Sequence, residues 1–92
     1  MREKYIEAKL VKEVKKRGGL CEKWNAGTSG WPDRIVLLPG GKFGMVEIKA
    51  PGKNPRKLQI HRHEQLRNLG YNIYVLDDLG QIGGILDGIQ ST

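Results

Sequence analysis

The sequence predicts an α/β fold: a small mixed β-sheet with helices packed on it, in the order α-β-β-β-α-β. Three observations predict it. The N-terminal segment has apolar residues at helical spacing. Two apolar runs flank Pro39-Gly40-Gly41, the mark of a hairpin. A second helical segment separates the third apolar run from a fourth, which calls for a right-handed crossover and a parallel pairing. At 92 residues the chain is one domain, 1–92, with room for a single small core.

Residues 3–17 are expected to form an amphipathic helix. Ile6, Leu10, Val11 and Val14 make its apolar stripe, lysines cover the rest, and Gly18-Gly19 stops it. Residues 20–24 should be a short strand, followed by a small, polar, glycine-rich loop from Asn25 to Gly30. Arg34 to Leu38 is nearly continuous in apolar residues, which predicts a central strand buried on both faces. Phe43 to Lys49 is its hairpin partner. Asn54-Pro55 pairs a capping residue with a first-turn proline, so a second helix should run from Pro55 to Asn68 and end at Gly70. Tyr71 to Leu76 is the fourth strand, with Tyr71, Ile73 and Val75 on one face. A short helix over Ile82–Ile89 is expected in the glycine-rich C-terminal stretch.

Composition narrows the function. Sixteen Lys and Arg stand against ten Asp and Glu, a formal net charge of +6, with a pI near 9.7. That balance favours a polyanionic partner, most simply nucleic acid. The single cysteine, Cys21, excludes an intramolecular disulfide and a zinc knot. No run approaches the length of a membrane span, and nothing resembles a signal peptide. An intracellular location, the cytoplasm of a bacterial cell or phage host, is expected.

The chemistry lies in Trp31-Pro32-Asp33-Arg34 and Val46-Glu47-Ile48-Lys49-Ala50. A three-residue hairpin loop sets Leu38 against Lys42, and counting back sets Asp33 against Glu47. Opposed Cβ atoms are about 4.5–5.5 Å apart, so two carboxylates there repel unless a cation separates them. Alternation puts Lys49 on the face of Glu47. Each residue alone has an ordinary explanation: Pro-Asp is common turn chemistry, and Glu47–Lys49 could be a solvated pair. The joint pattern predicts a divalent-metal site beside a fixed positive charge, chemistry suited to a phosphodiester. Asp33, Glu47 and the Ile48 carbonyl would supply oxygens to Mg²⁺, and Lys49 would hold the attacking water or stabilise the transition state. Glu7, at the edge of the buried helical stripe, is a candidate third carboxylate. Gln59 could orient Lys49 or a water. His61 and His63, two apart on a helix, point to different sides and read as surface or DNA-facing groups. Arg34, Lys53, Arg56 and Lys57 flank the site and are candidate DNA contacts.

Gly30-Trp31-Pro32-Asp33, then Val46-Glu47-Ile48-Lys49, then Gln59 resembles the PD-(D/E)xK nuclease superfamily and, within it, the virus-type replication-repair nuclease (VRR-NUC) domain of standalone phage and bacterial type. The resemblance spans Glu7 to about Leu76. It implies a restriction-endonuclease-like core, metal binding by Asp33 and Glu47, catalysis by Lys49, and Glu7 and Gln59 in or beside the site. It also implies Mg²⁺, with Mn²⁺ able to substitute, and a homodimer that presents two sites to a four-way (Holliday) junction. The expected activity is therefore a metal-dependent, structure-selective DNA endonuclease acting on branched DNA. The alternatives are a flap or branched-DNA nuclease, a non-catalytic nucleic-acid-binding module on the same fold, and a sequence-specific restriction-type nuclease. The small size leaves little room for the base-reading elements that the last of these needs.

Overall fold

The computed structural model describes residues 1–92. Helix α1 spans Glu3–Lys16, strand β1 Leu20–Lys23, β2 Arg34–Leu38, β3 Lys42–Ile48, helix α2 Lys57–Asn68, β4 Ile73–Leu76 and helix α3 Ile82–Gln90, preceded by a 3-10 turn at Leu79–Gln81. The four strands form one sheet in the order β1-β2-β3-β4. The first two pairings are antiparallel. The β3–β4 pairing, which α2 bridges, is parallel. The hairpin register is Leu38 against Lys42 and Arg34 against Val46, so the next pair along is Asp33 and Glu47.

Alternation along β3 divides the molecule into layers. Val46 and Ile48 face α1 and α3. There they join Ile6, Leu10 and Val14, together with Ile82, Ile85, Leu86 and Ile89, in the main core. Met45 faces the other way, onto Leu66 of α2 and Ile73. Glu47 is in step with Met45 and lies on the α2 side. The doubly buried strand is therefore β3, not β2. Leu37 of β2 is exposed, since no element covers that end of the sheet.

The C-terminal helix closes the main core, and two of the glycines have a packing reason. A Cβ on Gly44 would lie 2.6 Å from the Ile89 side chain, and one on Gly88 would lie 2.6 Å from the Tyr74 hydroxyl. Both distances are below van der Waals contact, so α3 can seat on β3 and β4 only where those positions carry no side chain. The start of α2 differs from the Asn54-Pro55 expectation. The cap residue is Arg56, whose N–H donates to the Gln59 side-chain oxygen at 2.8 Å. An amide from inside the first turn reaches back to satisfy the helix end, which moves the start two residues along.

Candidate active site

Asp33 is held by backbone on both sides. The Ile48 N–H donates to Asp33 Oδ2 at 2.9 Å, and the Trp24 N–H donates to the Asp33 carbonyl at 2.9 Å. Gly30 allows the preceding loop to close down. Its φ is +90°, and a Cβ there would sit 2.9 Å from the Leu58 carbonyl. Only glycine accepts both conditions, and the contact presses the Trp31-Pro32-Asp33 loop against the first turn of α2.

Glu47 is 1% exposed. Its Oε2 accepts from Gln59 Nε2 at 2.7 Å and lies 3.2 Å from Lys49 Nζ. Its Oε1 has no hydrogen-bond partner. Burial raises the Glu47 pKa above the usual carboxylate range, and the charge of Asp33 pushes the same way. Lys49 and Gln59 oppose both. A carboxylate so placed gains from a cation.

Gln59 therefore has both ends of its amide committed, the oxygen to Arg56 and the nitrogen to Glu47. Its partner is Glu47, not Lys49. His63 is not a surface group. It is 2% exposed, and its Nε2 lies 4.0 Å from Glu47 Oε1 without a hydrogen bond. Burial holds its pKa below the ordinary value, and the charges of Arg67 and Lys49 add to the effect. The signal was present in the spacing: Gln59, His63 and Leu66 fall at i, i+4 and i+7, one helical face.

Glu7 lies beside the site and is paired there with Arg34. Its Oε2 accepts from Arg34 Nε at 2.7 Å. It shares a 280 Å³ cleft with Asp33 and Trp24, but no three His, Cys, Asp or Glu side chains converge as a metal cage. The expectation for Arg34 is corrected. The guanidinium turns inward to Glu7 and to the Cys21 carbonyl, because even-numbered residues of β2 face α1. Its charge is taken up inside the protein, not at a DNA backbone. Lys53, Arg56 and Lys57 are exposed. Cys21 is buried, with its thiol pushed up to about 11 by burial, and is a packing residue.

The donor set fits a hard divalent ion. Asp33 and Glu47 stand in register on one face, Glu47 keeps a buried oxygen without a partner, and the Ile48 carbonyl follows in the chain. Two carboxylates suit Mg²⁺, which keeps several of its waters, better than an ion that demands a full protein cage.

No family model matches the chain. A solved structure described as a VRR_NUC domain matches it with a TM-score of 0.86 at 30% identity, over 92% of this chain and 94% of that one. The chain is also 47% identical over 85 residues to "Putative nuclease p44" of Acyrthosiphon pisum secondary endosymbiont phage 1, covering 89% of this chain and 91% of that protein. The chain belongs to the VRR_NUC nuclease family. The four-stranded mixed sheet with its helices matches the VRR_NUC structure. No helix of this VRR_NUC domain is long and apolar enough to cross a membrane.

Proposed function

We propose that this VRR_NUC domain is a Mg²⁺-dependent, structure-selective DNA endonuclease that hydrolyses phosphodiester bonds, with four-way junctions as substrate and a homodimer as the working form. The observation that carries the chemistry is the in-register pair of Asp33 and Glu47 with Lys49 Nζ 3.2 Å from Glu47. Asp33, Glu47 and the Ile48 carbonyl are the groups that would hold the ion, and Mn²⁺ has the same preference for oxygen. When bound, the metal supplies Lewis-acid polarisation of the phosphate and a more acidic water.

The remaining work falls to the protein. The Ile48 N–H and the strand register keep Asp33 from swinging away. Gln59 fixes the orientation of the Glu47 carboxylate. Lys49, largely buried beside that carboxylate, offers a positive charge to the negative charge that builds on the phosphoryl oxygens. Exposed Lys53, Arg56 and Lys57 lie before and at the start of α2, where they can take DNA phosphates and make binding salt-sensitive. A protein dimer would place two such sites on one branched substrate. The excess of basic over acidic residues supports DNA as the partner.

The test is cleavage of a four-way junction, a flap and a linear duplex in Mg²⁺ and in Mn²⁺, with Asp33→Asn alongside, and light scattering with and without DNA. Paired nicks in the junction, absent from the duplex and from the variant, are expected, together with a dimer. Flap cutting without junction cutting keeps the nuclease and changes its substrate. Salt-sensitive binding with no cutting of any substrate makes the domain a binding module.

A further inference from the structure

Trp24 is a large apolar side chain left 41% exposed at the end of β1. The β1–β2 register pairs Lys23 with Arg34. The next pair, Trp24 and Asp33, is closed by the Trp24 N–H donating to the Asp33 carbonyl at 2.9 Å. Opposed residues of neighbouring strands share a face, and strands lie about 4.8 Å apart. Trp24, Asp33 and Glu47 therefore form one row across the sheet. Trp24 is one strand spacing from Asp33 and two from Glu47.

Trp24 also joins two concave surfaces. It lines the 280 Å³ cleft that contains Glu7 and Asp33. It equally lines a 380 Å³ groove with wholly apolar walls, among them Trp31, Ile35, Phe43 and Tyr71. Trp31 is pinned in place: its indole N–H donates to Thr28 Oγ1 at 2.8 Å, and the Arg62 guanidinium lies 5.3 Å from its ring centre. Trp24 meets Trp31 in a T-shaped contact, 6.4 Å between centroids at 62°. Such a contact occupies at most one face of a ring, so Trp24 keeps a face for another partner.

We propose that Trp24 and the groove behind it form a stacking site for an unpaired nucleobase adjoining the phosphate held at Asp33 and Glu47. The occupant follows from continuity. A nucleobase has a flat apolar face and is tethered to a phosphate, and here an apolar aromatic wall runs directly into the polar cleft that holds Asp33, with Lys23 on its rim, one strand spacing from Glu47. The inference deepens the nuclease reading and rests on it. It gives a physical basis for structure selectivity: the bases of a perfect duplex are stacked on one another and cannot enter, whereas one beside a branch can.

The experiment measures binding in EDTA, where a Mg²⁺-dependent reaction does not run. Two branched DNAs are compared, identical except that the nucleotide next to the branch carries a base or is abasic, with a linear duplex as reference. Wild type, Trp24→Ala and Trp24→Phe are used, and melting curves confirm that each is folded. Trp24→Ala should weaken binding of the base-containing DNA by about 5- to 150-fold, the range for loss of one stacked base. Trp24→Phe should keep most of the affinity. The abasic DNA should bind wild type as weakly as Trp24→Ala binds the intact one, with no further loss when both changes combine. Equal effects of Trp24→Ala on both branched DNAs, or none on either, overturn the site. A base-independent loss accompanied by conversion of a dimer to a monomer assigns the groove to a second copy of the chain and overturns it too. Cleavage in Mg²⁺ separates the two readings. Base-dependent coupling without cleavage retains the stacking site and removes the nuclease, and cleavage without coupling does the reverse.

Discussion

Gln59 joins the start of α2 to the buried carboxylate through one amide, and its two bonds can be removed separately. Gln59→Ala deletes both. The bond to Glu47 Oε2, 2.7 Å long, has a charged acceptor buried to 1% exposure, and such bonds contribute about 1.5–3 kcal/mol. The bond from the Arg56 N–H is neutral and contributes about 0.5–1.5 kcal/mol. The variant should lose about 2–4.5 kcal/mol. A chain of 92 residues has a total stability of roughly 5–14 kcal/mol, so the melting temperature should fall by roughly 8–36 °C at neutral pH. Gln59→Glu keeps the acceptor for Arg56 and replaces the donor with a second carboxylate facing Glu47. Two facing carboxylates raise the folded-state pKa of the pair further. A raised folded pKa means a contribution that is fully present below the unfolded value, near 4.3, and is lost as pH rises through the folded one. The gap between Gln59→Glu and wild type should therefore narrow as pH falls toward about 4; the gap for Gln59→Ala should narrow less, since protonation of Glu47 removes only the charge-assisted part of one bond and leaves the Arg56 bond missing. Circular-dichroism melts in EDTA across that range read both. A Gln59→Ala melting point within about 3 °C of wild type, or a Gln59→Glu deficit that does not shrink with acid, would refute the amide bridge.

Three further outcomes follow from other parts of the structure. Mg²⁺ should raise the melting temperature of wild type but not of Asp33→Asn, with a stabilisation of about 2.7 kcal/mol when the ion is at a hundred times its dissociation constant; an equal shift in both proteins would place the ion elsewhere. His63 is buried and its pKa is depressed, so its contribution is fully present above the unfolded value near 6.5 and is lost as pH falls through the folded one; His63→Leu should flatten the stability profile below about pH 6.5, and an unchanged slope in urea melts would show that His63 is not buried neutral. Gly44→Ala drives a methyl into Ile89 and should cost about 1–3 kcal/mol. Adding Ile89→Ala should make the pair less damaging than the sum of the two changes, and strict additivity in chemical denaturation would contradict the contact.

The shared face of Asp33, Glu47 and Lys49 was legible in the sequence because a hairpin register is arithmetic. Pro39-Gly40-Gly41 sets the loop length, and strand alternation sets the face. Helix α1 and the end of α2 at Gly70 were legible for a similar reason, since each rests on local spacing and a local stop signal. The Asn54-Pro55 signal misled because a side chain inside α2 competed for the helix end and won. His63 and Arg34 misled because charge was read as exposure. Glu7 neutralises Arg34, and the site itself makes a place for His63.

By itself, the sequence determined the strand order along the chain, the hairpin register and therefore the facing carboxylates. These depend on neighbours a few residues apart, where backbone geometry leaves few choices. Tertiary structure alone decided what surrounds them: the amide of Gln59 on Glu47, the pairing of Glu7 with Arg34, the burial of His63 and the seating of α3 over Gly44. Each of these joins a helix to another element through side chains, with no hairpin turn to fix the register. Each is settled by which faces must leave water together, a constraint that exists only once the layers have packed.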